Sequence, residues 1–156
     1  MKLLLQRVIS AKVTINKTVV GEIEKGYVLL LGVAEGDSIN EADTLAEKVV
    51  NLRVMGDKND KMNLSVKDVN GEILVISQFT LCADTGGGRR PSFISAAKPE
   101  TAKMLYLYFI EKLNDLGIRK VATGEFGEYM QVELINDGPV TIILDTEIIN
   151  QKSEIK

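Results

Sequence analysis

The feature that most constrains this chain is a pair of apolar runs, each followed by an amphipathic helix pattern. Tyr27-Val28-Leu29-Leu30-Leu31-Gly32-Val33 is apolar without alternation, as a strand buried on both faces requires. Gly36-Asp37-Ser38 closes that run, and Ser38 with Glu41 three residues on has the spacing of a capping box. Ala42, Leu45, Ala46, Val49 and Leu52 follow at helical intervals and predict a helix of about 14 residues. Glu72 to Phe79 repeats the apolar strand, and a long irregular stretch, Thr80 to Lys98, separates it from a second helix. Pro99 suits the first turn of that helix, Ala102, Leu105, Phe109, Leu113 and Leu116 form its buried stripe, and Gly117 ends it. Two strand–helix units in series favour right-handed crossovers between parallel strands.

The flanking segments are β-like. Residues 2–15 read as a long strand that turns at Asn16-Lys17 into Thr18 to Ile23. Arg53-Val54-Met55 reads as a short strand, and Gly56 to Asn63 as a polar turn region. Near the end, Met130, Val132 and Leu134 alternate with Gln131 and Glu133, giving one apolar and one wetter face. Asn136-Asp137-Gly138-Pro139 interrupts, Val140 to Leu144 resumes as a buried strand, and residues 146–156 are expected to fray as a polar tail. The order ββ(βα)(βα) followed by C-terminal strands predicts one α/β domain with a mixed sheet and two main covering helices.

Composition excludes several kinds of chemistry. The 156 residues include no histidine, which removes Ser-His-Asp and Cys-His catalysis, His-rich zinc sites and imidazole acid–base work. The single cysteine, Cys82, rules out an internal disulfide and reads as a small buried residue more readily than as a nucleophile without a base. No apolar run approaches the roughly 18 residues of a membrane span, and Gln6-Arg7 cuts the leucines at the start too short for a signal-peptide core. The expectation is a cytosolic protein with no membrane partner. A net charge of −3 argues against broad binding along nucleic acid but leaves room for a local contact.

Three segments carry candidate chemistry. Ser77-Gln78-Phe79-Thr80 lies where an apolar strand runs out, the place where open α/β sheets hold ligands. Its hydroxyls, amide and freed backbone N–H groups suit a polar ligand or an oxyanion, and equally suit turn hydrogen bonds. Asn136-Asp137-Gly138-Pro139 is either a plain turn or a rigid corner whose carbonyls exclude a substituent by clash. Gly86-Gly87-Gly88-Arg89-Arg90 is either a phosphate cradle or a solvated basic loop, and it matches no P-loop or dinucleotide fingerprint. Asp43, Glu47, Asp57, Asp60 and Asp68 show no metal-loop spacing.

Taken together, these strings resemble the D-aminoacyl-tRNA deacylases of the bacterial and eukaryotic type. The likeness runs through Gln6-Arg7-Val8, Lys61-Met62-Asn63, Ser77-Gln78-Phe79-Thr80-Leu81, Arg90-Pro91-Ser92-Phe93, Phe126-Gly127, Met130 and Asn136-Asp137-Gly138-Pro139-Val140-Thr141. It covers residues 1–145 in order and leaves 146–156 outside the shared domain. The resemblance implies a homodimer, without metal or cofactor, that hydrolyses the ester joining a D-amino acid to the 3′-terminal adenosine of tRNA. It also implies action on glycine mischarged on tRNA(Ala). Ser77, Gln78, Phe79 and Thr80 would line the catalytic aminoacyl pocket. Gly138 and Pro139, reaching across from the partner subunit, would reject an L side chain, with Arg7, Asn136 and Asp137 supporting that corner. Phe126, Gly127 and Met130 would meet the adenosine, and Arg89 and Arg90 the tRNA. The run Gly86-Gly87-Gly88 departs from the common pattern in its glycine content.

An aminoacyl ester is already activated, and the neighbouring ribose 2′-hydroxyl can position water, so a chain without histidine suffices for its hydrolysis. A non-catalytic module holding adenosine-ended RNA, and a generic small-ester hydrolase, remain alternatives on sequence alone.

Overall fold

The computed structural model describes residues 1–153, and its sheet is assembled on β1 (Lys2–Ile15). Asn16 and Lys17 both take positive φ, 47° and 68°, so the chain reverses in a two-residue turn into β2 (Thr18–Ile23). β2 and β3 (Gly26–Gly32) lie end to end along one edge of β1, pairing Ala11 with Ile23 and Val8 with Gly26. β6 (Glu72–Ser77) is parallel to β3, and β7 (Val121–Thr123) is parallel to β6. β8 (Gln131–Asp145) runs antiparallel along the other edge of β1, which makes the sheet mixed. The fold is the expected α/β single-domain type.

The sheet carries a core on each face. Tyr27, Leu29, Leu31, Ile73 and Val75 face α1 (Ile39–Asn51) and α2 (Pro99–Asp115), whose Leu45, Val49, Leu105 and Phe109 are wholly buried against them. The intervening Val28, Leu74 and Ile76 face a second core with Val8, Val13 and Ile23. Double-sided burial explains why these two strands read as continuous apolar runs. The second core is closed because β2 comes against β7: a Cβ on Gly21 would lie 2.5 Å from the Thr123 carbonyl oxygen.

Local signals set the helix ends. Ser38 and Glu41 form both halves of the capping box, and Pro99 starts α2 while Gly117, with φ of 85°, lies past its end. The helices are joined by Asp43, which accepts from Lys112 Nζ at 3.0 Å and from the Tyr108 hydroxyl at 3.0 Å. Cation and hydrogen bonds hold its carboxyl below the ordinary range, the Lys112 contact most of all.

Four expectations change. The short strand falls at β4 (Met55–Gly56), later than Arg53-Val54-Met55, and pairs with β5 (Met62–Leu64) inside the stretch read as turn. Strand β6 ends at Ser77, and Phe79–Cys82 forms a 3-10 turn. Val140 to Leu144 is covered on one face only: Val140, Ile142 and Leu144 pack on the first core, while Thr141 and Ile143, the latter 76% exposed, face away from it. The stretch expected to fray begins with α3 (Thr146–Ser153): Thr146 is buried, its N–H donates to the Met1 carbonyl, and Ile149 packs on the first core. Residues 154–156 of that tail lie outside the described residues.

Gly26 has no room for a side chain, since a Cβ there would stand 1.8 Å from the Glu72 carbonyl oxygen. Gly87 has open space. Gly26→Ala should lose at least about 3 kcal/mol in urea unfolding or fail to fold, whereas Gly87→Ala should stay within about 0.5 kcal/mol. Equal midpoints for the two variants would contradict this packing.

Candidate active site

A cavity of about 520 Å³ opens where β6 ends. Ser77, Gln78 and Phe79 form one wall, Phe126, Gly127 and Met130 another, and Ala96, Ala97 and Ala102 a third. Two of the predicted groups, the strand end and the Phe126–Met130 segment, therefore meet in one site. The alanines and Val33 were not anticipated, because they reach the cavity only through tertiary packing. Gly124 was also missed: a Cβ there would sit 2.3 Å from Met130 Sδ, so its bareness makes room for Met130.

The strand end is shaped by the 3-10 turn. Gln78 N–H donates to the Leu31 carbonyl at 2.8 Å, keeping the chain on the sheet until the turn starts. The N–H groups of Phe79 and Thr80 are the first two of that turn, and among the described residues they donate to no other group. Gln78 Nε2 donates to the Thr80 hydroxyl. Thr80 lies beside the cavity rather than in its wall. Phe79 is exposed, and its ring is steadied edge-on by Phe93 at 5.1 Å. Beneath, Cys82 is buried with Sγ 3.6 Å from the Val33 carbonyl, and burial pushes its thiol up, which suits packing rather than nucleophilic attack. Tyr106 anchors the opposite wall by packing on Phe126 at 5.9 Å and donating to the Val75 carbonyl; its phenol is pushed up to about 12 by burial.

The long stretch after the turn is tied at both ends. Asp84 and Ser92 exchange backbone hydrogen bonds at 2.8 and 2.9 Å, and Ala97 N–H donates to Val33. Gly86-Gly87-Gly88, Arg89 and Arg90 form the exposed tip beyond Asp84, and neither arginine lines the cavity.

Asn136-Asp137-Gly138-Pro139 is elsewhere, and none of its residues lines this cavity. Along β1, Gln6 to Ser10 is four steps, while the paired residues of β8, Thr141 back to Ile135, are six steps apart. The corner is thus a bulge of three extra residues on β8 between the Gln6–Thr141 and Val8–Asn136 pairs, and β1 carries one extra residue before the Ser10–Ile135 pair, a net of two. Gly138 has φ of 125°, and a Cβ there would meet Val140 Cγ2 at 2.9 Å and an Arg7 nitrogen at 3.1 Å, so only glycine fits. The Gly138–Pro139 peptide is cis. Arg7 Nε donates to the Asp137 carbonyl at 3.1 Å and lies 3.2 Å from its carboxylate, and Nη1 donates to the Val54 carbonyl at 2.6 Å. Asn136 pairs with Val8, and Gly138 and Pro139 project into solvent. Among the described residues there is no cluster of three or more metal-ligating side chains.

Arg7 contributes through a forked contact that lysine cannot reproduce. Arg7→Ala should lower stability by about 2 kcal/mol in urea unfolding, and Arg7→Lys should recover less than half of that. An unchanged midpoint in Arg7→Ala would show that the corner holds itself.

Comparison with known proteins bears on these two sites. The family model described as D-Tyr-tRNA(Tyr) deacylase matches residues 4–145. The D-aminoacyl-tRNA deacylase of Clostridioides difficile (strain 630) is 51% identical over 146 residues, covering 94% of this chain and 97% of that protein. That of Mannheimia succiniciproducens is 56% identical over 141 residues, covering 90% and 96%. Among solved structures, one titled c-Myc DNA Unwinding Element Binding Protein superposes with a TM-score of 0.88 at 39% identity, covering 93% of this chain and 98% of that one. A second, titled as a probable eukaryotic D-amino acid tRNA deacylase, shares the fold with a TM-score of 0.77 at 14% identity. A match over nearly the whole domain, with relatives at about half identity, settles the family: the chain belongs to the D-Tyr-tRNA(Tyr) deacylases.

Proposed function

We propose that this protein hydrolyses the ester of D-aminoacyl-tRNA and rejects L-aminoacyl-tRNA by steric exclusion at Gly138 and Pro139. Membership of a deacylase family supports the activity. The single structural observation that supports this site is the cavity uniting Ser77, Gln78 and Phe79 with Phe126, Gly127 and Met130. In this reading the terminal adenosine enters between Phe126, Gly127 and Met130, and the aminoacyl group lies along Ser77 to Thr80. Water adds to the ester carbonyl, the bond to the ribose 3′-oxygen breaks, and free amino acid and tRNA leave. The unengaged N–H groups of Phe79 and Thr80 suit a developing oxyanion, and one such donor is worth about 3 kcal/mol. With no histidine in the chain, the 2′-hydroxyl of the substrate positions the water, and Thr80, beside the pocket, is not the nucleophile.

The chiral filter requires a second subunit, because the corner and the cavity are separate in one chain. Strand β8 supports pairing of two copies: it is an edge strand, and Ile9, Ile135 and Ile143 are exposed on it and its neighbour. In the homodimer, the carbonyls of Gly138 and Pro139 from one subunit enter the cavity of the other, where an L side chain would collide with them. Glycine has no side chain to exclude, so glycyl-tRNA(Ala) is a further substrate. The protein works in the cytoplasm on the 3′ end of tRNA, with Arg89 and Arg90 on nearby phosphates, and a domain of residues 1–145 carries the activity. No helix is long and apolar enough to cross a membrane among the described residues.

The relative titled as a binding protein favours one other reading, a module that holds nucleic acid without turnover. Release of D-tyrosine but not L-tyrosine from charged tRNA, at catalytic protein concentration, supports the deacylase; stoichiometric protection of the ester supports the module. A D-aminoacyl-tRNA ending in 2′-deoxyadenosine should be cleaved at least about a hundredfold more slowly, given the contribution of positioning. Cleavage at full rate would remove the 2′-hydroxyl from the mechanism.

A further inference from the structure

The chain has eight aromatic residues, four Tyr and four Phe, and most are buried or half-buried. Among the described residues only two aromatic rings are exposed, Phe79 at 56% and Tyr129 at 88%, and both line the same cavity. Phe79 has a ring partner in Phe93, whereas Tyr129 has no ring pair and no hydrogen bond among the described residues. A bare aromatic ring beside a binding cavity offers a face on which a ligand can stack.

The backbone under Tyr129 is fixed on both sides. Phe126 is packed on Tyr106, Gly127 turns the chain at φ of 84°, and Glu128 N–H donates to the Glu125 carbonyl at 3.3 Å. Met130, next in sequence, is half-buried in the space left by Gly124. Inward anchoring of Phe126 and Met130 therefore holds Tyr129 out at the rim, beside the place assigned above to the terminal adenosine.

We propose that Tyr129 is a stacking platform for the base of the nucleotide that precedes the terminal adenosine. The inference rests on the reading that the 3′ end of tRNA occupies this cavity, and it adds a subsite outside it. A single-stranded end offers successive bases, and a fixed aromatic ring recognises any of them through its face. Stacking there supplies attraction that does not depend on charge, which suits a chain with a net charge of −3. Tyr129 binds and positions the strand; it touches no reacting atom.

The test compares wild type, Tyr129→Ala and Tyr129→Phe on two substrates, D-tyrosyl-tRNA and D-tyrosyl-adenosine, which lacks the preceding base. On the tRNA, Tyr129→Ala should raise KM about tenfold with kcat unchanged, and Tyr129→Phe should keep the wild-type KM. On D-tyrosyl-adenosine the three proteins should share one KM. An unchanged KM for Tyr129→Ala on tRNA overturns the proposal. So does an equal rise on both substrates, which would place the ring against the adenosine, or a changed dimer mass, which would place it in a subunit contact. Failure of the wild type to release D-tyrosine from either substrate would instead strike the deacylase reading and this subsite with it.

Discussion

Arg7 sits where two long strands change faces. On β1, Leu3 and Leu5 belong to the helix-covered core, while Val8, Ala11 and Val13 belong to the second core. On β8, Val132 and Leu134 pack on the second core, and Val140 and Ile142 on the first. On β1 the second core takes the even Val8 and then the odd Ala11 and Val13, and on β8 the even positions pass from one core to the other, so neither strand keeps a regular period of two. The switch is absorbed by three extra residues of β8 between Asn136 and Thr141 and by one extra residue of β1 between Val8 and Ser10. Arg7 then closes the irregularity, spanning the Asp137 and Val54 carbonyls with one planar group. The geometry of the exposed corner follows from that crossing, because the extra residues have no partner in the ladder and must project.

The same crossing separates the corner from the cavity within a chain. Strand β6 delivers Ser77 to Phe79 to one end of the sheet through its parallel pairing with β3, and the turn after β7 delivers Phe126 to Met130 beside it. The corner is carried on the far edge strand, outside that wall. In the proposed reading a site needing both parts is completed between two copies, and the exposed isoleucines of β1 and β8 are the surface proposed for it. Chemistry without histidine fits this plan, since fixed backbone groups act through position rather than titration.

Much of the fold was legible because local chemistry and tertiary structure agree. Ser38 and Glu41 cap where their spacing says, Asn16-Lys17 turns, Pro99 and Gly117 bracket α2, and the doubly buried strands lack alternation. The face switch was not legible, since the string alone does not show that β1 gains a residue between Val8 and Ser10, after which odd positions pass to the second core. Val140 to Leu144 misled because apolar content does not say whether the second face of a strand is covered. The helix after Asp145 was missed although Asp145 accepts from Glu147 N–H at its start, because its anchor is the distant Met1 carbonyl. In the site, Ser77 to Thr80, Phe126, Gly127 and Met130 were named from strings, but Ala96, Ala97, Gly124 and Tyr129 acquire their places only from packing.

The claim that one pocket is built by two subunits is tested most directly with a mixed dimer. Gln78→Ala would carry the lesion in the cavity and Arg7→Ala the lesion in the corner, each chain bearing a different purification tag so that only the heterodimer is isolated. If the corner serves the partner's cavity, one site of the heterodimer has both lesions and the other has none. Release from L-tyrosyl-tRNA, gained by the Arg7→Ala homodimer, should then vanish in the heterodimer while release from D-tyrosyl-tRNA persists. Continued cleavage of the L substrate by the heterodimer would show that each chain filters its own site.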